Sequence, residues 1–244
     1  MRRMAATRAP RREGAIGTLE GDARRPEHPS LQRIGGFSDG VFAFAITLLI
    51  LAIRIPHPSD SDSSQGLLAL LTQQWRSYLA FVMSFMLIGL TWANHRVMFA
   101  KFARSDHVLV WLNLLLLMTG VAFMPIPTAV LGYWLGSANQ HDQVVAAVFS
   151  GLGATAGALA FNIVWWYGAY VGRLPHAGHT RHQLRAHTIA WAPSIPVAAV
   201  LTAIAFISPA LAVAGFVAMI VAYVLPIATF VAVKDRRHDL RRGR

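Results

Sequence analysis

Apolar residues run through this chain in long blocks, not in the two-residue alternation of a half-buried strand or the stripes of a soluble helix. Six blocks are long enough to cross a bilayer at about 20 residues per helix. They cover residues 33–55, 74–99, 107–131, 143–171, 187–207 and 210–233. The punctuation between them agrees. Pro56 and Pro58 stop the first block, and a polar loop over 59–65 follows. Trp75 and Tyr78 open the second block, where interfacial aromatics belong. Pro125 and Pro127 break or kink the third near its end. The fourth is rich in Gly and Ala, which lets helices approach closely. Only Ser208 and Pro209 part the fifth from the sixth, so those two form a tight antiparallel hairpin. The pattern predicts an all-α, polytopic membrane protein with six transmembrane helices.

Composition supports that class. Of the 244 residues, 55% are hydrophobic and 14% charged, whereas a soluble domain carries about a quarter charged residues. There is no cysteine, so disulfides, thiol catalysis and thiolate metal sites are excluded. The net charge of +11 matters less than its placement. Of the 22 Lys and Arg, eight lie at or before Arg33. Arg96, Lys101 and Arg104 flank the loop after the second block, Arg173, Arg181 and Arg185 fill the loop after the fourth, and Lys234 with five arginines follows the sixth. Only Arg54 and Arg76 fall on the other side of a six-helix arrangement. Positively charged loops stay in the cytoplasm, so both termini are expected there. Residues 1–30, rich in Arg, Ala and Pro, lack an apolar core long enough for a signal peptide and read as a disordered basic tail. Such a tail suits an anionic membrane surface better than nucleic acid. Residues 31–234 form the transmembrane domain and 235–244 a second basic cytoplasmic tail.

Candidate chemistry concentrates in the first helix. At about 100° per residue, Phe37, Val41, Phe44, Thr47, Leu48, Leu51 and Ile55 fall on one face, while Asp39 points the opposite way with Phe42, Ile46 and Ile53. A carboxylate at the edge of such a run needs a partner, because an isolated charge at bilayer depth costs several kcal/mol or more. Arg33 is six residues away and does not pair along one face. Trp92, Asn94, His95 and Arg96, at the same end of the second helix, are the candidate partners. Asp39 with Ser38 would equally suit an ordinary helix start. The apolar face is open to two readings, a lipid-facing or core stripe and a pore lining in which a lone hydroxyl serves a partly dehydrated cation. His176, His179, His182 and His187 share one loop, but no carboxylate or Cys completes a metal set, and Pro175 and Gly178 argue against a regular helix there. No phosphate-binding glycine pattern, catalytic triad or zinc-protease motif occurs.

The first helix nevertheless resembles a known family. Arg33, Phe37, Ser38, Asp39, Gly40, Val41, Phe42 and Ala43, followed by Ala45, Ile46, Thr47, Leu48 and Leu49, resemble the signature first helix of the transmembrane protein 175 family in its bacterial form. Trp92 with His95, the run Trp111 to Leu117, and Pro125 extend the resemblance over the first half of the chain. The family comprises potassium channels. The resemblance implies six helices per subunit, a homotetramer in a bacterial inner membrane, and a central pore lined by the first helices. Rings of Phe44, Leu48 and Leu51 would form its constriction, with Thr47 as the hydroxyl. Arg33, Ser38, Asp39 and His95 would form a structural polar network. Potassium ions and the lipid bilayer are the implied partners, with no cofactor, no metal and no nucleic acid. Phe44 departs from the family pattern, where an aliphatic residue is usual. Two other classes compete with this reading: a secondary transporter or proton-coupled carrier that titrates Asp39 and His95, and a membrane enzyme or scaffold, for which no catalytic constellation is visible.

Overall fold

The computed structural model describes residues 29–59 and 63–224. All but the last two residues of the expected tail over 1–30, the end of the sixth expected span from 225 on, and the expected tail over 235–244 lie outside the described residues. Helix α1 runs over Pro29–Leu48 and tightens into a 3-10 turn at Leu49–Ala52. Its start falls two residues inside the stretch expected to be tail, with Pro suited to a first turn whose N–H groups have no acceptor. Leu31 is buried and the Ser30 hydroxyl lies 2.7 Å from that of Ser105, so this turn is docked on the loop after the second span. A short helix α2, Leu67–Gln73, precedes α3, Trp75–Phe99.

The third span is broken in two. Helix α4, His107–Leu117, is capped by Asp106, whose Oδ1 accepts from the Leu109 N–H at 2.8 Å. It passes through a wider π turn at Met118–Ala122, and α5 begins at Pro125 and ends at Trp134. Pro125 and Pro127 bring no N–H groups, so the helical ladder cannot run through this point. Helix α6, Gln140–Trp166, ends in a second π turn at Tyr167–Val171. The fifth span is also split, into α7 (Arg181–Trp191) and α8 (Ser194–Ala205), with Pro193 at the break. Helix α9, Pro209–Val224, reaches the end of the described residues.

Among the described residues, five helical stretches are long and apolar enough to cross a membrane: Ser30–Ala52, Trp75–Phe99, His107–Trp134, Gln140–Val171 and Arg181–Ala205. The fifth begins six residues before the expected 187. Thr180 and Gln183 form a reciprocal capping box that starts the helix early. His182 and His187 therefore sit on α7, while His176 and His179 stay in the loop.

Helix α6 is the hub, packed against α4, α5 and α8, while α3 packs between α5 and α1. Apolar burial alone does not join helices in lipid, so close approach must come from small residues. Gly157 on α6 crosses Gly120 in the π turn so tightly that a Cβ on Gly157 would lie 3.0 Å from the Gly120 Cα. At one end of the bundle Phe99, Phe102, Phe161, Trp165 and Trp191 form an aromatic cluster. Above it a short antiparallel pairing joins two loops, with the Ala103 N–H on the Leu174 carbonyl at 2.7 Å and the His176 N–H on the Lys101 carbonyl at 3.1 Å. A third cluster of Phe42, Ala45, Leu49, Ile88, Leu117, Val121 and Met124 seats α1.

Gly157→Val is expected to lower the thermal unfolding midpoint in detergent, reflecting about 1–3 kcal/mol of overpacking. Gly89→Ala, with nothing within 4 Å of the added carbon, is the control and should stay within about 0.5 kcal/mol of the parent. Equal midpoints for all three proteins would contradict the close crossing.

Candidate pore helix and its polar anchor

Helix α1 presents two unlike faces. Phe42, Ala45 and Leu49 are buried against α3 and the π turn of the third span. On the other side Phe37, Phe44, Leu48 and Leu51 are exposed on the single chain, Phe44 by 66% and Leu51 by 76%. Thr47 is exposed among them, and Ile55 lies beyond. Val41, placed on this face by periodicity, is half-buried against the cluster that seats the helix. Ile50 joins the exposed set because the helix changes pitch at Leu49. In a 3-10 turn residues three apart eclipse, so Leu51 stands in line with Leu48.

The Thr47 hydroxyl donates to the Phe44 carbonyl at 2.9 Å. Its proton is thereby engaged by the helix and its lone pairs remain on the exposed side. Carbonyls of α1 are already used in the helical ladder. At its end the Ile50 carbonyl accepts from the Ile53 N–H at 3.1 Å, and the Ala52 carbonyl accepts from the Tyr133 hydroxyl at 3.1 Å. Along α1 this face therefore presents side chains and not backbone oxygens.

Behind that face runs a directional chain of buried hydrogen bonds. The Asn113 Oδ1 can only accept, so His95 donates to it from Nε2 at 2.8 Å. The Asn113 Nδ2 donates to the Ser38 hydroxyl at 2.9 Å, and Ser38 donates to the Ile34 carbonyl at 2.9 Å. Ser38, His95 and Asn113 are all at most 2% exposed. The His95 ring stacks on Phe99 at 4.1 Å and meets the Phe42 edge at 5.5 Å. Three helices are thus tied at one node.

Asp39 stands apart from that node. It is exposed, and its Oδ1 accepts from the Trp92 Nε1 at 2.8 Å. The Arg96 guanidinium lies over the same indole at 5.1 Å. Arg33 is exposed and belongs to neither hydrogen-bonded set among the described residues, because the turn that carries it points its side chain outward. Asn113 was not singled out as a network residue. Its signal was available, since one amide in the run His107–Leu117 of mostly aliphatic residues must find partners inside the protein. Among the described residues, no group of three or more His, Cys, Asp or Glu could hold a metal ion, the histidine loop included.

A family profile described as "Endosomal/lysosomal potassium channel TMEM175" matches residues 33–125. A potassium channel from Streptomyces collinus is 44% identical over 142 residues, covering 58% of this chain and 66% of the relative. A potassium channel from Chamaesiphon minutus is 40% identical over 163 residues, covering 67% of this chain and 78% of the relative. The fold is similar to the crystal structure of a lysosomal potassium-selective channel TMEM175 homolog from Chamaesiphon minutus, with a TM-score of 0.73, 36% identity, and coverage of 82% of this chain and 98% of that one. A variant of the potassium channel MtTMEM175 shares the fold at a TM-score of 0.55 and 23% identity, over 84% of this chain and 93% of that one. The profile match falls on the first three spans, which carry both the exposed face and the polar node, and the chain belongs to the TMEM175 family of potassium channels, a family of channels and not of enzymes.

Proposed function

We propose that this chain is a potassium-permeable, potassium-selective channel whose pore is built by the first helices of four copies. The exposed apolar face of α1 carries the reading: Phe44, Leu48 and Leu51 face outward from the single chain while Phe42, Ala45 and Leu49 hold the helix in place. Four such faces around an axis make stacked apolar rings, which water leaves readily and which a hydrated cation crosses only by shedding solvent. Thr47 supplies the oxygens that compensate. With its proton held by the Phe44 carbonyl, each hydroxyl turns lone pairs toward the axis. Phe44 adds bulk and an aromatic face that attracts cations. Potassium is the permeant ion, as the names of the bacterial relatives suggest, and no further cofactor is required.

Topology follows the charges. With the apolar block 210–233 counted as a sixth span by its sequence, 20 of the 22 Lys and Arg fall on one side. That side is cytoplasmic, both termini included, in a bacterial inner membrane. The polar node sets the rotation of α1 about its own axis and so decides which side chains reach the pore.

Thr47→Ala should lower the potassium-to-sodium permeability ratio about tenfold, the worth of one hydrogen-bond-like contact to a charge. Reversal potentials under bi-ionic conditions in planar bilayers measure it. Phe44→Asn should raise the leak conductance by wetting the constriction. Both variants conducting as the parent does would remove the pore assignment. Asn113→Leu strands the buried His95 and Ser38 groups, and should cost about 1–3 kcal/mol of stability. An unchanged melting midpoint in detergent would show that the node does not hold α1.

A further inference from the structure

A second apolar surface lies on the face of α3 opposite the one that seats α1. It is a groove between α3 and α9, which run in the same direction there. Its wide end, of about 600 Å³, is lined by Trp75, Arg76 and Gln143 with Ala210 and Ala214. It continues past Leu79 and Val217 into a narrower trough of about 220 Å³ ending at Met86 and Val224. Every side chain lining the narrow part is apolar. Ala210, Ala214 and Ala218 recur every fourth residue on α9 and are exposed. Their small side chains leave the space beside α9 unfilled.

Arg76 sits at the wide end, half-buried. Its guanidinium lies over the Trp75 ring at 5.3 Å and against Gly136, whose φ of +81° and missing Cβ make room for it. Among the described residues it has no carboxylate partner. Gln143 is a second polar side chain there; its Nε2 donates to the Ser137 carbonyl at 2.6 Å, and its Oε1 is left to accept from a ligand. From Arg76 to Met86 the groove is about 15 Å long at 1.5 Å per residue. That is half of a hydrocarbon core of about 30 Å, the depth of one leaflet. Trp75 marks the polar boundary of that leaflet.

We propose that this groove is a binding site for an anionic glycerophospholipid of the leaflet opposite the basic loops. The phosphate rests on the Arg76 guanidinium, the headgroup hydroxyls reach Gln143, and one acyl chain lies along Leu79, Val82, Met86 and Val221. A planar guanidinium matches phosphate oxygens in pairs, and the apolar trough supplies no polar group for a second charge. The site does not rest on the pore reading, and lipid retention is scored without measuring conduction.

Native mass spectrometry of the full-length protein in detergent, titrated with dioleoyl phosphatidylglycerol or dioleoyl phosphatidylcholine, tests the proposal. The parent should retain phosphatidylglycerol in preference to phosphatidylcholine. Arg76→Gln should weaken phosphatidylglycerol retention about fivefold, the worth of one interfacial cation. Ala214→Phe, which fills the groove, should reduce retention of both lipids and leave the oligomeric state unchanged. Equal retention by the parent and Arg76→Gln would overturn the phosphate assignment. Loss of the oligomer in Ala214→Phe with lipid retention intact would make the groove a contact between copies of the chain and overturn the site.

Discussion

The chain of donors from His95 through Asn113 and Ser38 to the Ile34 carbonyl is the contact on which the candidate pore depends. In a bilayer, exposing apolar surface carries little cost, so nothing in hydrophobicity alone prevents a helix such as α1 from rotating about its axis. The Asn113 amide opposes that rotation, because turning α1 would break its bond to the Ser38 hydroxyl and leave a buried donor unpaired in a medium without water. Phe42 against the His95 ring adds a shape constraint at the same depth. Because this node is fixed, Phe44, Thr47, Leu48 and Leu51 share one outward direction.

The rest of the bundle positions the two helices that carry the node. Asn113 lies one turn before the π turn at Met118–Ala122, and that turn passes Gly157 at backbone contact. Pro125 ends the wide turn and restarts the helix, so α4 and α5 take different directions and α3 packs on α5 while α4 packs on α6. At the other end of α1 the 3-10 turn and the Tyr133 hydroxyl on the Ala52 carbonyl fix the last residues before the loop. The exposed face of α1 is therefore held at both ends by hydrogen bonds and in the middle by close packing.

Much of this was legible in the residues. Apolar block length located five of the six expected spans among the described residues, and the prolines located the break in the third. The 3.6-residue period separated Phe44 from Phe42. The misses have physical causes. Periodicity assumes one pitch, so it could not foresee that Leu49–Ala52 tightens and brings Ile50 outward. The start of α7 was hidden because Arg181, His182 and Arg185 look like loop residues, although Thr180 and Gln183 cap a helix there. Helix α2 is seven residues long, too short for any periodic signal. Asp39 drew attention as the only carboxylate in its span, yet its Trp92 contact is exposed, and the amide that does the tying is uncharged.

The uncovered face of α1 can be probed directly, because the sequence contains no cysteine. A lone thiol can be introduced as Leu51→Cys on that face, or as Val82→Cys on the far side of α3, and treated with a positively charged thiol-specific reagent during bilayer recording. With a pore lined by α1, the current of Leu51→Cys is abolished irreversibly and that of Val82→Cys is unchanged. Persistence of the Leu51→Cys current after mass spectrometry shows complete modification would contradict a pore lined by α1.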